Sequence, residues 1–451
     1  MSRNSRSDLS RWRALLKVVP VTLVLVAAAA VVGGSISSAS TAGRAAKGPL
    51  NIVVFFGFSG PTAAYGPESM DPCLAATSLI NANNGVLGQT LKCVAADSRG
   101  DPADAVLEAG KVVATGNATG ILGPETNTAA ATAPIFNSAH IPMFSSTGSS
   151  EFDSQISYNY FWRLLPPDKD TAYALAIGAH DNGIKNIASV FGTAATNQTN
   201  VGPLQAAFKY LGGKIVASVN LASGQGSYNT EAARVAAAHP QAIATEADPQ
   251  TDASFLSQLR QQLGGKLPPI YGTSATQLPD WLSAVGKAIG PSTLAKLQLV
   301  AVPYAPFSGP VYGAFKKALL ATHTVKPVQF STDIYSLASF DAVNIMALCM
   351  LQTKSTTGSV YNGCIMGLTN PNPSATVVHT FKDGKAALAQ GKKIRYEGVL
   401  GQIVLNKYHS SPGEFAIVRY TSAGANGNVA VQRLIPTAEI AGLVTALSAK
   451  K

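Results

Sequence analysis

The sequence predicts an α/β protein with two parallel sheets in series, each covered by helices on both faces. Two observations carry that expectation. Short runs of β-branched residues alternate with alanine-rich stretches of 3.6-residue periodicity, the rhythm of repeated strand–helix–strand units. The rhythm breaks once, at Arg163-Leu-Leu-Pro-Pro-Asp168, where paired prolines continue neither a strand nor a helix and suit a crossover between two bodies.

Taken in chain order, strands are expected at 50–58, 91–96, 120–123 and 141–145 before that seam. After it they are expected at 186–191, 214–221, 242–246, 269–272 and 297–303. Helices fall between them at 67–83, 102–115, 127–139, 171–182, 201–211, 230–238, 252–263 and 278–289. Start signals agree: Asp101-Pro102 sets a capping carboxylate before a proline at the first helical position, and Asp168–Asp170 opens the helix near Thr171. Beyond Pro303 the pattern changes. Helices at 311–321 and 336–351 precede a glycine- and asparagine-rich loop, and an antiparallel-looking region follows at 396–405, 414–420 and 430–435.

The N-terminal segment has a different character. Arg3, Arg6, Arg11, Arg13 and Lys17 precede the apolar run 18–32, which ends at Gly33-Gly34 and a tract of small residues. A basic head, a short apolar middle and a small-residue tail make residues 1–42 an export signal, or an anchor if uncleaved. No cysteine lies near its end, so a lipid-anchored form is not supported. The remaining 409 residues exceed one ordinary core and suit two lobes. Hydrophobic residues at 46% against 13% charged exclude a disordered chain. The formal charge of +10 falls to +6 once the segment's own net +4 is set aside. The remaining basic residues, among them Lys185, Lys209, Lys214 and Lys266, are scattered, so no nucleic-acid partner is expected. An oxidising compartment favours disulfides Cys73–Cys93 and Cys349–Cys364, although three pairings are formally possible.

Enzyme templates fail. There is no metalloprotease, phosphate-loop or dinucleotide motif, the six histidines are isolated, and the turn Gly57-Phe-Ser59-Gly60 lacks the second glycine of a nucleophile elbow because residue 61 is proline. A hydrolase built on Ser59 would need a histidine within hydrogen-bond reach. No cofactor or metal is expected. Binding chemistry fares better. Ligands of open α/β sheets sit at the carboxyl ends of strands, and three such ends carry small polar residues: Ser59-Gly60, Glu125–Thr128 and Ser145–Ser150.

Several stretches in this order and spacing resemble the periplasmic leucine/isoleucine/valine-binding family, the solute receptors of ABC importers. They are SGPTAAYG (59–66), INANNGVLG (80–88), DSRGDP (97–102), Gly123-Pro124, IPMFS (141–145), FWR (161–163), FDAV (340–343) and YEGVLG (396–401). The resemblance implies two Rossmann-like lobes joined by three crossovers, the type I periplasmic-binding fold, with a solute trapped in the cleft by hinge closure. Lobe 1 is then 50–165 plus 304–392, and lobe 2 is 166–303 plus 393–436. The Cys73–Cys93 bridge resembles one found in some members.

By the same resemblance, first-lobe ligand contacts fall on Asn127, on Thr147, Gly148 and Ser149, and on Tyr65 at the cleft edge. The second lobe departs from the family pattern. Thr196-Asn197 replaces a tyrosine–glycine pair, Asp248 stands where an aromatic is expected, and Ser274 replaces the acid that receives an amino acid's ammonium. Glu246 or Asp248 is left to take that role, and Tyr304 and Phe307 are the remaining apolar contacts. A ligand other than leucine, isoleucine or valine is therefore expected. The partners implied are a small-molecule solute and an ABC permease, with the chain a monomer. The alternative is a sensor of the same fold that signals to a partner and delivers no cargo.

Overall fold

The computed structural model describes residues 48–449 apart from 64, 155–156, 306, 323–328 and 421–428; the expected export segment lies outside the described residues. Five short parallel strands form the first sheet: β1 (Leu50–Phe56), β2 (Leu91–Asp97), β3 (Ala118–Leu122), β4 (Met143–Phe144) and β5 (Phe161–Trp162), in the order β2-β1-β3-β4-β5. β1 reads LNIVVFF and is buried along nearly its whole length, as a central strand covered on both faces must be. One face packs under helices Tyr65–Asn81 and Ile334–Thr353, the other under Pro102–Thr115 and Thr126–Ser138.

The second sheet takes β6 (Asn186–Gly192), β7 (Lys214–Leu221), β8 (Ala242–Glu246), β9 (Ile270–Gly272) and β10 (Gln298–Pro303). A three-stranded ribbon follows, of β11 (Thr376–Val378), β12 (Ile394–Gly398) and β13 (Gly401–Gln402). The last two strands, β14 (Phe415–Tyr420) and β15 (Val429–Ile435), return to the second sheet. They complete the order β15-β14-β10-β9-β8-β6-β7, with β14 antiparallel to β10 and β15 antiparallel to β14. The chain thus passes between the halves three times, near 163–168, 303–309 and 405–414. This is the type I periplasmic-binding architecture.

One expected boundary is corrected. Residues 393–436 do not all belong to the second half, because Ile394, Tyr396, Val399, Ile403 and Leu405 pack in the first half's core while Phe415, Ile417 and Ile435 pack in the second. Within the antiparallel-looking stretch 396–405 the chain turns at Val399–Leu400, between β12 and β13. The buried carboxylate of Asp341 accepts from the Tyr396 hydroxyl at 2.8 Å and from the N–H groups of Val399 and Leu400 at 3.1 and 2.9 Å, which holds the chain in a turn. Among the described residues six helices were not foreseen: the short Ala195–Gln198, Gly358–Tyr361 and Ile365–Thr369, and Pro291–Leu297, Phe381–Ala389 and Thr437–Ser448, the last burying Ile440 and Leu443 against the second core. Both local disulfides form, with Cα atoms 6.1 Å apart for Cys73–Cys93 and 5.6 Å for Cys349–Cys364.

The helix Ile334–Thr353 is long and apolar enough to cross a membrane, but 78% of its most apolar window is buried inside the protein. It is a core helix, started by the Asp333 carboxylate, which accepts from the Ser336 N–H at 2.8 Å.

Candidate functional site

Both sheets point the carboxyl ends of their parallel strands at one small cavity of about 90 Å³. From the first half come Phe56 at the end of β1, Tyr65 and Glu68 from the helix after it, Glu125 and Thr126 beyond β3, and Ser146 beyond β4. Asp333 and Tyr335 are added at the head of the core helix. From the second half come Asp168 and Thr171 at the head of helix Asp168–Asp181, Thr196 and Asn200 beyond β6, Glu246 ending β8, and the turn Thr273–Ala275 with Leu278 beyond β9. Strand ends supply such sites because the backbone leaves the sheet there and is free to turn inward. Tyr335 of the first half and Ser274 of the second both line it, so the cavity is walled from both sides.

Carboxylates dominate the walls. Glu125 is held by three donors to one oxygen: the Gly57 N–H at 3.2 Å, the Thr62 hydroxyl at 2.9 Å and the Ser98 hydroxyl at 3.2 Å. Even so, burial raises it above the ordinary carboxylate range. Glu246 accepts from Asn197 at 2.7 Å, Asn200 at 3.2 Å and Thr273 at 2.6 Å. Burial outweighs these bonds and, with the nearby Asp168 charge, pushes it up to about 7. Asp168 accepts from Thr199 at 2.7 Å and rises to about 6, again through burial, although Arg163 pulls it down. Glu68 and Asp333 are buried against each other. Burial first and the Asp333 charge second hold Glu68 well above its usual range. Among the described residues, no lysine, arginine or histidine lines the cavity.

Residues 49–425 match the sequence profile of the family described as Periplasmic binding protein. The chain belongs to that family. No curated protein matches it. Among solved structures it resembles a leucine binding protein LivK from Thermotoga maritima, at 17% identity and TM-score 0.68 over 86% of this chain and 98% of that one. It also resembles LivJ from Streptococcus pneumoniae in complex with isoleucine, at 16% identity and TM-score 0.66 over 86% and 99%. A solute binding protein of an ABC transporter from R. palustris, in complex with 4-hydroxybenzoate, matches at 16% identity and TM-score 0.68 over 88% and 100%. At such identities the likeness speaks for the fold.

In this periplasmic binding protein, four of the residues singled out from sequence meet at the cavity: Tyr65, Thr196, Glu246 and Ser274. Asn127 lies in the first turn of its helix, but Thr126 lines the cavity. Likewise Ser146 lines it, and Thr147, Gly148 and Ser149 lie behind. The Thr147 hydroxyl accepts from the Ser149 N–H at 3.1 Å, and the Gly148 carbonyl accepts from the Asp168 N–H at 2.9 Å. Asp248 lies outside the cavity. It caps helix Pro249–Gln262, accepting from the Thr251 N–H at 3.0 Å and the Ser223 hydroxyl at 2.7 Å. Tyr304 borders a different cavity of about 660 Å³ between the connectors, and Phe307 packs against Tyr312. The Ser59 hydroxyl donates to Asp97 at 2.6 Å. Sequence reading passed over Glu68, Asp168, Asp333 and Tyr335. The three acids share a signal of position, at or just before the first turn of a helix that opens on the cleft, and Tyr335 carries none.

Proposed function

We propose that this chain is the extracytoplasmic solute-binding component of an ABC importer, which traps a small polar or amphiphilic molecule by hinge closure and hands it to a membrane permease without a chemical step. One observation carries the reading. A small cavity is walled by strand ends of both halves, and those halves are joined only by three connectors, the arrangement that allows two bodies to open and shut on a guest. The family membership and the solute-bound neighbours support it. Tyr65, Thr196 and Ser274 contact the guest. Asn127, Thr147, Gly148 and Ser149 position Thr126, Ser146 and Asp168, and Asp248 and Tyr304 support the second wall and the connectors.

The test is a thermal-shift screen of amino acids, amides, carboxylates, aromatic acids, polyols and amines, followed by solution scattering with each hit. A ligand at 100 times its dissociation constant stabilises by about 2.7 kcal/mol, and closure lowers the radius of gyration. Silence from every class, with unchanged scattering, overturns the reading. A hit that drives no uptake in vesicles carrying the cognate permease favours the sensor alternative.

A further inference from the structure

Taking solute binding at this cavity as its basis, we infer that the guest is a small organic cation with protonated amines at both ends, and not an amino acid or an organic acid. Glu68, Glu125 and Asp333 stand on the first wall and Asp168 and Glu246 on the second, with no basic side chain among the lining residues. Arg163, whose charge reaches Asp168, is committed elsewhere: it pairs with Asp153 at 2.6 Å and donates to the carbonyls of Thr147 and Ser149. Buried carboxylates without counter-ions are costly, so a cavity that collects five of them is complementary to positive charge supplied from outside. A carboxylate-bearing ligand meets the opposite situation at either end. At the head of helix Thr126–Ser138, where an anion would dock, Glu125 already occupies the donors of Gly57, Thr62 and Ser98.

An independent observation points to the same chemistry. Asn200 is only 2% exposed, and it lines the cavity. Its amide nitrogen donates to Glu246, while its Oδ1 is buried with no hydrogen-bond partner among the described residues. An orphaned buried acceptor calls for a donor. A primary ammonium brings three N–H groups, whereas a quaternary ammonium brings none. Aromatic rings of Phe56, Tyr65 and Tyr335 border the space and suit a cation with a short methylene chain. Among the described residues no group of three or more acids, histidines or cysteines is placed to hold a metal ion, so the cation indicated is organic.

Titration calorimetry on the purified protein tests this with linear diaminoalkanes of roughly three to six carbons, a length chosen for the small cavity. The comparison set is n-butylamine, 4-aminobutanoate, a fully N-methylated diamine, leucine and benzoate. At least one diamine is expected to bind about tenfold or more tightly than every comparison compound, a difference of about 1.4 kcal/mol. If 4-aminobutanoate, leucine or benzoate binds more tightly than all diamines, the inference is overturned while solute binding stands. If the N-methylated compound wins, the argument from Asn200 is overturned. If nothing in this set or the wider screen binds, the underlying reading fails instead. Glu246→Gln is expected to weaken the diamine by about tenfold or more. Unchanged affinity in that variant overturns the proposal. If it fails to fold, Asp168→Asn makes the same test.

Discussion

At Gly148 a single methyl group would be too much. A Cβ built there falls on the carboxylate of Asp168, so the close approach of the loop beyond β4 to the second half depends on this glycine. Gly148→Ala is expected to cost about 1–3 kcal/mol by overpacking, read as a lower midpoint in urea, and to reduce ligand affinity by moving Asp168. Asp341 tests a purely structural acid: Asp341→Ala leaves the Tyr396 hydroxyl and two N–H groups without their acceptor. It should destabilise by about 2–4 kcal/mol with no change in ligand preference. The same scale shows why the site was only half legible in sequence. The small-polar tracts after β3 and β4 were found, but the expected contacts Asn127 and Thr147 each stand one residue beyond the residues that line the cavity, Thr126 and Ser146. A string of similar polar residues says that the chain turns at a strand end, not which side chain the turn aims inward. Asp333 and Tyr335 escaped altogether, since they arrive from a distant part of the chain and carry no motif.

Elements were far easier to read than side chains. β1, β6, β7, β8 and the helices between them follow the alternation of β-branched and alanine-rich segments because each is buried on a fixed face, and periodicity records burial. Some failures fall where an element is too short to show a period, as in β5 with two residues, or where a tertiary contact turns the chain, as Asp341 does at Val399–Leu400. The twelve-residue helix Thr437–Ser448, however, was missed despite its length. The cap at Asp101 was legible from sequence and is present: its carboxylate accepts from Ala103 and Asp104, and Gly116 ends the helix with φ 62°. Asp101→Ala should cost about 1 kcal/mol. The two disulfides each staple a long helix to its neighbourhood, Cys73 to β2 and Cys349 to the turn at Cys364. Replacing either pair by alanine should lower stability by about 3 kcal/mol, measured against the parent under non-reducing conditions. An unchanged melting temperature in both double variants would show that the bridges do not constrain the unfolded chain.

For the molecule as a whole, the acids set an unusual dependence on pH. Burial raises Asp168, Asp252 and Asp341 to about 6 and Asp170 and Glu246 to about 7, against about 4 in an unfolded chain. Between about pH 4 and pH 7 the folded protein therefore binds more protons than the unfolded one, and stability falls as pH rises through that window. Calorimetry of the ligand-free protein should give a higher melting temperature at pH 5 than at pH 8; the reverse order would contradict these assignments. The route of the chain has a consequence for how the protein is made. β14 and β15 pair onto β10 only after the ribbon that seals the first core has been built, so both bodies wait for residues near the C-terminus. A nascent chain halted at about residue 390 would present β10 as a bare sheet edge and leave the apolar faces of both halves open. Such stalled fragments should be captured by chaperones and clump together, and no contiguous piece of the polypeptide should serve as a self-standing miniature of either half.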